Sequence, residues 1–133
     1  MSQANVEIVR KLYTHWERGE FATPVFFDPE VQYSRIGAEV PGDAGEWHGV
    51  EDMWAANLEY LGALEDVRNV AEEFIDLGER ILVLDTQTAR GRRSGAPVEH
   101  QLAQLFTLHG GRIVRWESYW DRPEALRAAG LVE

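Results

Sequence analysis

The chain has 133 residues, a formal net charge of −10 and a hydrophobic fraction of 44%. This size and composition fit one folded domain, residues 1–133, and exclude a disordered chain. Such an acidic surface repels phosphate backbones and anionic lipids, so neither nucleic acid nor a membrane is an expected partner. In a pocket, the same charge favours a neutral or cationic ligand over a polyanion.

The N-terminal segment predicts a helix rather than a targeting sequence. It has no basic stretch followed by an apolar run, and no apolar run in the chain is long enough to span a membrane, so we expect a cytoplasmic protein. Asn5 or Ser2 is expected to cap this helix and Gly19 to end it. Its apolar residues recur at steps of three and four, at Val6, Val9, Tyr13 and Trp16.

The next segments are short. Phe21–Phe27 is predicted as a second, short helix, and alternation over Val31–Ile36 predicts a strand. Gly37–Gly49 contains several glycines and a proline and is predicted to be a loop, whose Trp47 either covers a pocket or packs as a peg. A third helix is expected from Val50 to about Leu64.

From Asp66 onward the hydrophobic period changes from about 3.6 to 2, which indicates strands. Pro123–Ala129 closes the chain as a short helix that Asp121 can cap. This order predicts an α+β fold in which a curved antiparallel sheet packs on three helices, with a short C-terminal helix and one small-molecule pocket in the concavity. The four long strands, joined by short turns, are predicted at Val67–Leu77, Arg80–Arg90, Pro97–Leu108 and Arg112–Trp120.

Several segments, in their order and spacing, resemble a known family. They are the opening helix from Asn5 to Tyr13, the Trp47-His48-Gly49 triplet and the closing run from Gly111 to Asp121. The chain is similar, nearly end to end, to the SnoaL-like branch of the nuclear transport factor 2-like (NTF2-like) superfamily. The resemblance implies a cone-shaped α+β fold, a pocket for a small hydrophobic molecule and a homodimer built across the sheet. The superfamily contains polyketide cyclases, isomerases, epoxide hydrolases and non-catalytic binding modules, so it does not fix the reaction.

Asp121 is the first catalytic candidate. It follows the last predicted strand, where Trp116, Tyr119 or Trp120 could cover it, and a carboxyl group in apolar surroundings has a raised pKa that suits proton transfer. The cyclases and epoxide hydrolases that the chain resembles place an acid/base aspartate at this position. Capping of the last helix explains an aspartate here equally well.

His100 is the second catalytic candidate. It shares one face of a predicted strand with Leu102, Gln104 and Phe106, and this mixture of polar and apolar side chains is typical of a pocket wall. A buried histidine could act as a general base or donate to a ligand, although such a histidine is more often satisfied by a neighbour. The opposite face of the strand could meet a partner subunit.

Aromatic side chains and Gln104 supply the predicted ligand contacts. For the tryptophans, packing in the core is more common than contact with a ligand. A buried phenol, by contrast, needs a hydrogen-bond partner and could donate to a ligand carbonyl. Arg35, on the same face as Tyr33, either meets a ligand anion or pairs with Glu39, and surface pairing is the commoner arrangement. The aromatic candidates are Tyr13, Trp16, Tyr33, Trp54, Trp116 and Tyr119.

The residues that other types of catalytic or cofactor site require are missing from the chain. The chain has no cysteine, which excludes disulfides, thiolate nucleophiles and thiolate metal ligands. No glycine-rich loop joins a strand to a helix to hold a dinucleotide or triphosphate, so no cofactor is expected, and the spacing of the histidines predicts no metal site. Tyr33 stands where the isomerases of the superfamily have a carboxylate, and the epoxide hydrolases' Arg-x-Asp triplet is missing. The histidines show no paired ligand spacing: His15, His48, His100 and His109.

These features favour a cofactor-independent enzyme that acts on an enolisable carbonyl compound. Asp121 would be its general acid/base, with His100 and either Tyr33 or Tyr13 orienting or polarising the carbonyl group. The alternatives are a non-catalytic ligand-binding protein and an assembly domain whose sheet surface matters more than its cavity. A cavity filled by side chains would favour the assembly domain.

Overall fold

The computed structural model describes residues 3–37 and 44–132 of the chain. The helices of this part are α1 (Gln3–Trp16), α2 (Val50–Leu61) and α3 (Arg122–Ala128), and a single 3-10 turn lies at Pro24–Phe26. The predicted α+β architecture is confirmed. The strands are β1 (Phe27–Ile36), β2 (Gly45–His48), β3 (Leu64–Asp76), β4 (Arg80–Gly91), β5 (Pro97–His109) and β6 (Arg112–Tyr119).

The strands form one sheet in the order β2-β1-β6-β5-β4-β3. The meander from β3 to β6 is antiparallel throughout, as the short turns predict. However, β1 runs parallel to β6, with Tyr33 beside Trp116, so the sheet is mixed rather than wholly antiparallel. A parallel pair needs a long connection, and here everything from β2 to β5 lies between its two strands. This pairing brings the first and last strands together on one surface.

The segment before the first strand is less helical than predicted. Pro24 has no backbone N–H, and Phe27 is already extended at φ −111° and ψ 143°, so the predicted helix of Phe21–Phe27 is reduced to one 3-10 turn. The first strand begins at Phe27 rather than at Val31 and contains Pro29. Pro29 has no backbone N–H to donate to a neighbouring strand, and the pairing of β1 with β6 shifts register between Phe27 and Gln32, on either side of it.

The predicted loop of Gly37–Gly49 contains a short strand. β2 pairs antiparallel with β1 and places Trp47 opposite Tyr33, and the two rings stack with centroids 5.3 Å apart. Trp47 therefore acts as a packing peg on β1. Residues 38–43, which include Glu39, lie outside the described residues.

Helix α1 begins at Gln3, so Asn5 lies inside its first turn rather than at the N-cap position. The Asn5 amide donates to the carbonyl oxygen of Gly78 at 3.0 Å and so connects α1 to the turn between β3 and β4. The other predicted cap, Ser2, lies outside the described residues. Gly19 follows the helix at φ +80°, a left-handed conformation that glycine adopts without strain, so the predicted stop is confirmed.

The sheet buries side chains on both faces. Successive residues of a strand point to opposite faces, so β5 directs Gln104 towards the concave face and Leu105 towards the outer face. The concave face packs against α1 and α2, where the core includes Val9, Leu12, Ile81, Phe106 and Ile113. The outer face carries a smaller cluster that includes residues of α3: Leu82, Ala103, Leu105, Tyr119, Ala125 and Ala129. The outer face of β5 is therefore partly covered by the chain itself, and the homodimer remains a prediction.

Candidate functional site

A cavity of ≈ 240 Å³ lies between the concave face of the sheet, the segment after α1 and helix α2. At roughly 30 Å³ for each water, it has room for about eight waters or for a molecule of one or two rings. The exposed residues of its wall, Ala22, Pro24 and Glu51, mark the rim. Aromatic side chains dominate the interior of the wall, including Trp16, Tyr33, Trp54, Tyr60, Trp116 and Trp120.

Trp116 lies at the centre of the aromatic wall. Its ring centroid is 5.2 Å from that of Trp16, 5.7 Å from that of Phe27 and 4.2 Å from that of Tyr33. The indole Nε1–H donates to the Oε1 atom of Gln104 on β5 at 2.7 Å. The tryptophan is thus fixed by packing and by one hydrogen bond, which gives the cavity a rigid wall.

Arg35 is the basic residue in the described cavity wall, and only 8% of its surface is exposed. Its Nε donates to the Tyr33 hydroxyl oxygen at 2.6 Å, and its Nη2 donates to the carbonyl oxygen of Ala56 at 3.0 Å. Both acceptors are neutral. None of the ion pairs found within residues 3–37 and 44–132 includes Arg35. The Arg35 side chain is buried rather than on the surface, and Glu39, the partner predicted for it, lies outside the described residues.

The Tyr33 hydroxyl oxygen is held by Arg35, whose Nε–H donates to it. The Asn57 side chain, which donates to the carbonyl oxygen of Met53, lies beside the phenol. Burial raises the pKa of Tyr33, while the charge and hydrogen bond of Arg35 partly oppose this rise. The phenol therefore stays protonated near neutral pH, and its O–H can be donated to an oxygen in the cavity.

A second polar group lines the cavity from β3, β4 and α2. The Gln87 Nε2 donates to the Asn69 Oδ1 at 3.0 Å, and the Tyr60 hydroxyl donates to the Gln87 Oε1 at 2.5 Å. All three residues belong to the wall. These hydrogen bonds orient the amides, so this group contributes fixed dipoles rather than a charge.

Asp85 is a buried carboxyl group next to the cavity wall. Its Oδ2 accepts a hydrogen bond from the Tyr13 hydroxyl at 2.9 Å, while its Oδ1 has no hydrogen-bond partner in the described part of the chain. Burial raises the pKa of Asp85 from 3.8 to about 7, although hydrogen bonds from Tyr13 and Gln104 and the charge of Arg122 partly oppose this rise. Gln104 and Gln87, its neighbours, line the cavity, but Asp85 itself does not.

The cavity wall contains five of the predicted site residues. They are Trp16, Tyr33, Trp54, Gln104 and Trp116. They come from α1, β1, α2, β5 and β6, which shows that the helices and the concave face converge on one space. Their contact with a ligand remains a prediction.

The other predicted residues lie elsewhere. The Tyr13 hydroxyl bonds to Asp85 in the core rather than facing the cavity. Tyr119 points to the outer face, where its hydroxyl donates to Glu117 at 3.0 Å, because it is one residue out of phase with Ser118, which lines the cavity. His100 is half-buried next to the wall, with its ring 4.7 Å from the ring of Trp120.

Asp121 does not have the apolar cover predicted for it. Its side chain is exposed and does not line the cavity. Its backbone takes the N-cap position of α3 at φ −124° and ψ 111°, but its carboxylate makes no capping hydrogen bond. The position therefore supports neither the predicted acid/base role nor a capping role for the side chain.

Replacing Asp121 with alanine should change the free energy of unfolding by less than about 0.5 kcal/mol, as is usual for surface substitutions. A capping aspartate would lose about 1 kcal/mol. Urea denaturation of both proteins measures the difference, and a loss of 1 kcal/mol or more would show that the carboxylate caps the helix in solution.

Sequence reasoning missed Ser118, Asn57 and the Asn69–Gln87 pair. The strand alternation contained the signal for some of them, because Ser118 has the same parity as Trp116, and Gln87 has the same parity as Val83. The hydrogen bonds among these residues depend on the pairing of distant strands, which residue spacing alone does not give.

The described ranges contain neither a metal site nor a membrane span. No group of three or more histidine, aspartate or glutamate residues there could hold a metal ion. No helix in the same ranges is long and apolar enough to cross a membrane.

Comparison with known proteins agrees with this geometry. The sequence model of the SnoaL-like domain matches residues 9–116. An uncharacterized protein of Mycobacterium tuberculosis is 27% identical over 126 residues, which cover 92% of each chain. An NTF2-like protein of unknown function from Burkholderia pseudomallei is 26% identical, with a TM-score of 0.78 over 96% of this chain and 97% of its own.

Two more distant structures share the fold at 18% identity. One is a candidate SnoaL-like polyketide cyclase from Jannaschia sp. CCS1, with a TM-score of 0.77 over 100% of this chain and 98% of its own. The other is TerC co-crystallised with polyporic acid, with a TM-score of 0.75 over 96% of this chain and 99% of its own. At this identity the likeness concerns the fold alone.

Proposed function

Since the chain belongs to the SnoaL-like family, we propose that its cavity binds a small, mostly apolar ring compound that carries a carbonyl group. The observation that carries this proposal is an aromatic cavity in which one buried arginine and one buried phenol share a hydrogen bond. Small-molecule sites are typically apolar, with a few fixed polar groups that orient the ligand. In the same fold, TerC was crystallised with polyporic acid.

The Tyr33–Arg35 pair suits a carbonyl oxygen. Tyr33 offers a proton, and the positive charge of Arg35 lies 2.6 Å from its hydroxyl oxygen, which strengthens that hydrogen bond. The rings of Trp116 and Trp54 give the ligand body flat apolar surfaces. The carbonyl group would therefore point towards β1, with the ring body among the tryptophans.

Replacing Ser118 with leucine should abolish binding of a two-ring probe, 2-acetonaphthone. Ser118 is buried in the cavity wall on β6, so the larger side chain would occupy space that the ligand needs. Isothermal titration calorimetry should show at least a tenfold loss of affinity. Thr88→Leu, an exposed position on β4 away from the cavity, is the matched control and should bind as the wild type does. Equal affinity in all three proteins would place the binding outside this cavity and refute the proposal.

A second candidate function is proton transfer at the carbon beside the carbonyl group, and one observation favours it. Glu51 is the carboxylate in the described cavity wall, and it lies at the rim. In this reaction Glu51 takes the proton from carbon, and the resulting enolate oxygen is stabilised by Tyr33 and Arg35. Glu51 replaces Asp121 in the predicted acid/base role, because Asp121 lies outside the wall. The first turn of a helix also favours an acidic residue regardless of function.

Exchange of the probe's methyl protons for deuterium separates an enzyme from a binding protein. We expect the wild type to accelerate this exchange in D₂O, as followed by proton NMR, and Glu51→Gln to lose the acceleration while still binding the probe. Asp52→Gln alters the next acidic residue of the same helix turn, which does not line the cavity, and should keep the activity. Binding without accelerated exchange in the wild type would identify a non-catalytic binding protein.

A further inference from the structure

We propose that the natural ligand of the cavity is an organic anion, a carboxylate or an acidic enol on a one- or two-ring body, whose charge is neutralised by Arg35. This inference rests on the proposed function and names the class of ligand that the site selects. It differs from the expectation, drawn from the net charge alone, that a neutral or cationic ligand is favoured over a polyanion.

The first argument is that Arg35 is a buried charge with no countercharge among residues 3–37 and 44–132. Its surface is 8% exposed, and both of its hydrogen-bond acceptors are neutral oxygens, those of Tyr33 and Ala56. Buried charges in proteins are normally paired, because removing a charge from water is costly. None of the ion pairs within the described residues supplies that partner. An anion in the cavity would supply it.

The second argument is that aromatic rings hold the guanidinium in place. Its central carbon lies 5.3 Å from the ring centroid of Tyr33, 4.9 Å from that of Trp47 and 5.1 Å from that of Tyr60. Cation–π contacts offset part of the cost of burial, but they leave the positive charge in place. The rings also restrict rotation of the side chain, so less entropy is lost when the planar group binds a carboxylate.

The third argument is that the positive charge of Arg35 acts on a ligand in the cavity more strongly than the distant surface carboxylates do. Surface carboxylates more than about 8 to 10 Å from the ligand are screened by salt, whereas a contact of 3 to 4 Å inside the protein is screened much less. The carboxylate of the described wall, Glu51, is exposed at the rim, whereas Arg35 is buried. Together, Arg35 and the Tyr33 proton give an anionic oxygen two donors, one of them charged.

Three probes of the same ring system and different charge test the inference by calorimetry: 2-naphthoate, 2-naphthamide and 2-acetonaphthone. We expect the wild type to bind the carboxylate at least tenfold more tightly than the neutral amide. In Arg35→Met this preference should fall below about threefold, because the carboxylate loses its countercharge, whereas the amide loses only the strengthening of the Tyr33 hydrogen bond. Arg35→Lys keeps the charge but loses the planar fork, and should retain part of the preference.

The outcomes separate this inference from the proposed function. If the wild type binds 2-acetonaphthone in a way that Ser118→Leu abolishes, but shows no preference for the carboxylate, the anion inference is wrong and the cavity assignment survives. A carboxylate preference that persists in Arg35→Met overturns the inference as well. Failure of all three probes to bind overturns both proposals. The comparison of probes on the wild type stays decisive even if a variant does not fold.

Discussion

Replacing Asp85 with asparagine should raise the free energy of unfolding by about 4 kcal/mol at pH 8 and change it little at pH 4. Burial raises the pKa of this carboxyl group from 3.8 to about 7. The folded protein therefore binds a proton that the unfolded chain has lost over this range, so the stability of the wild type falls as the pH rises from about 4 to 7. Each pH unit contributes about 1.4 kcal/mol. Asparagine has no proton to lose and removes this dependence.

Urea denaturation of the wild type and Asp85→Asn, at several pH values between about 4 and 8, measures the effect. Asp121→Asn is the matched control, because it makes the same substitution at an exposed carboxylate, and its stability should follow that of the wild type. Parallel curves for the wild type and Asp85→Asn over the whole range would show that Asp85 does not titrate between the folded and unfolded states as its burial requires.

Replacing Phe106 with alanine should lower the free energy of unfolding by about 3 to 5 kcal/mol. The side chain is fully buried on β5, and its ring packs 6.4 Å from the ring of Tyr13, 6.1 Å from Trp16 and 6.0 Å from Trp116, measured between centroids. The change removes apolar burial and leaves a void between α1 and the sheet. Because Trp16 and Trp116 line the cavity, weaker probe binding should accompany the loss of stability.

Chemical denaturation at a fixed pH near 7 measures this loss. Val25→Ala removes apolar atoms from a side chain that is 76% exposed, and should leave the stability within about 0.5 kcal/mol of the wild type. A loss below about 1 kcal/mol in Phe106→Ala would mean that the aromatic cluster is loosely packed, which contradicts a rigid cavity wall.

The sequence predicted the meander better than the segments around β1. The strands β3 to β6 are marked by alternation and by short glycine-containing turns, which are local features. The parallel pairing of β1 with β6 has no such mark, since it joins Tyr33 to Trp116 across most of the chain. β2 was not predicted either, because its four residues have no local strand pattern and form a strand only by pairing with the edge of β1.

The cavity wall was partly predictable from strand parity, and its charges were not. The parity that placed Leu102, Gln104 and Phe106 on one face agrees with the structure, in which Leu102 and Gln104 line the cavity and Phe106 lies in the core beside it. His100, which has the same parity, is not among the residues of the wall. The burial of Arg35 could not be read from its neighbours in sequence, because α2 and β2 are what cover it. Asp85 was not predicted as a buried carboxyl group, because no local pattern indicates that the distant Tyr13 hydroxyl bonds to it.

Residue position along the chain also misled the prediction of the acid/base group. Asp121 follows the last strand, where the family resemblance implied an acid/base aspartate, yet at the end of β6 the chain turns into α3 and the side chain stays exposed. Whether a carboxylate faces the cavity depends on its distance from the strand end and on the direction of the following helix. Neither quantity is encoded in a local pattern.

A crystal structure of the protein soaked with 2-naphthoate tests the central claim most directly. The account predicts electron density for the ring system in the cavity beside Trp116, with the carboxylate within hydrogen-bond distance of the Arg35 guanidinium and the Tyr33 hydroxyl. A cavity closed by rearranged side chains, or a probe bound only on the outer face of the sheet near Tyr119, would contradict it.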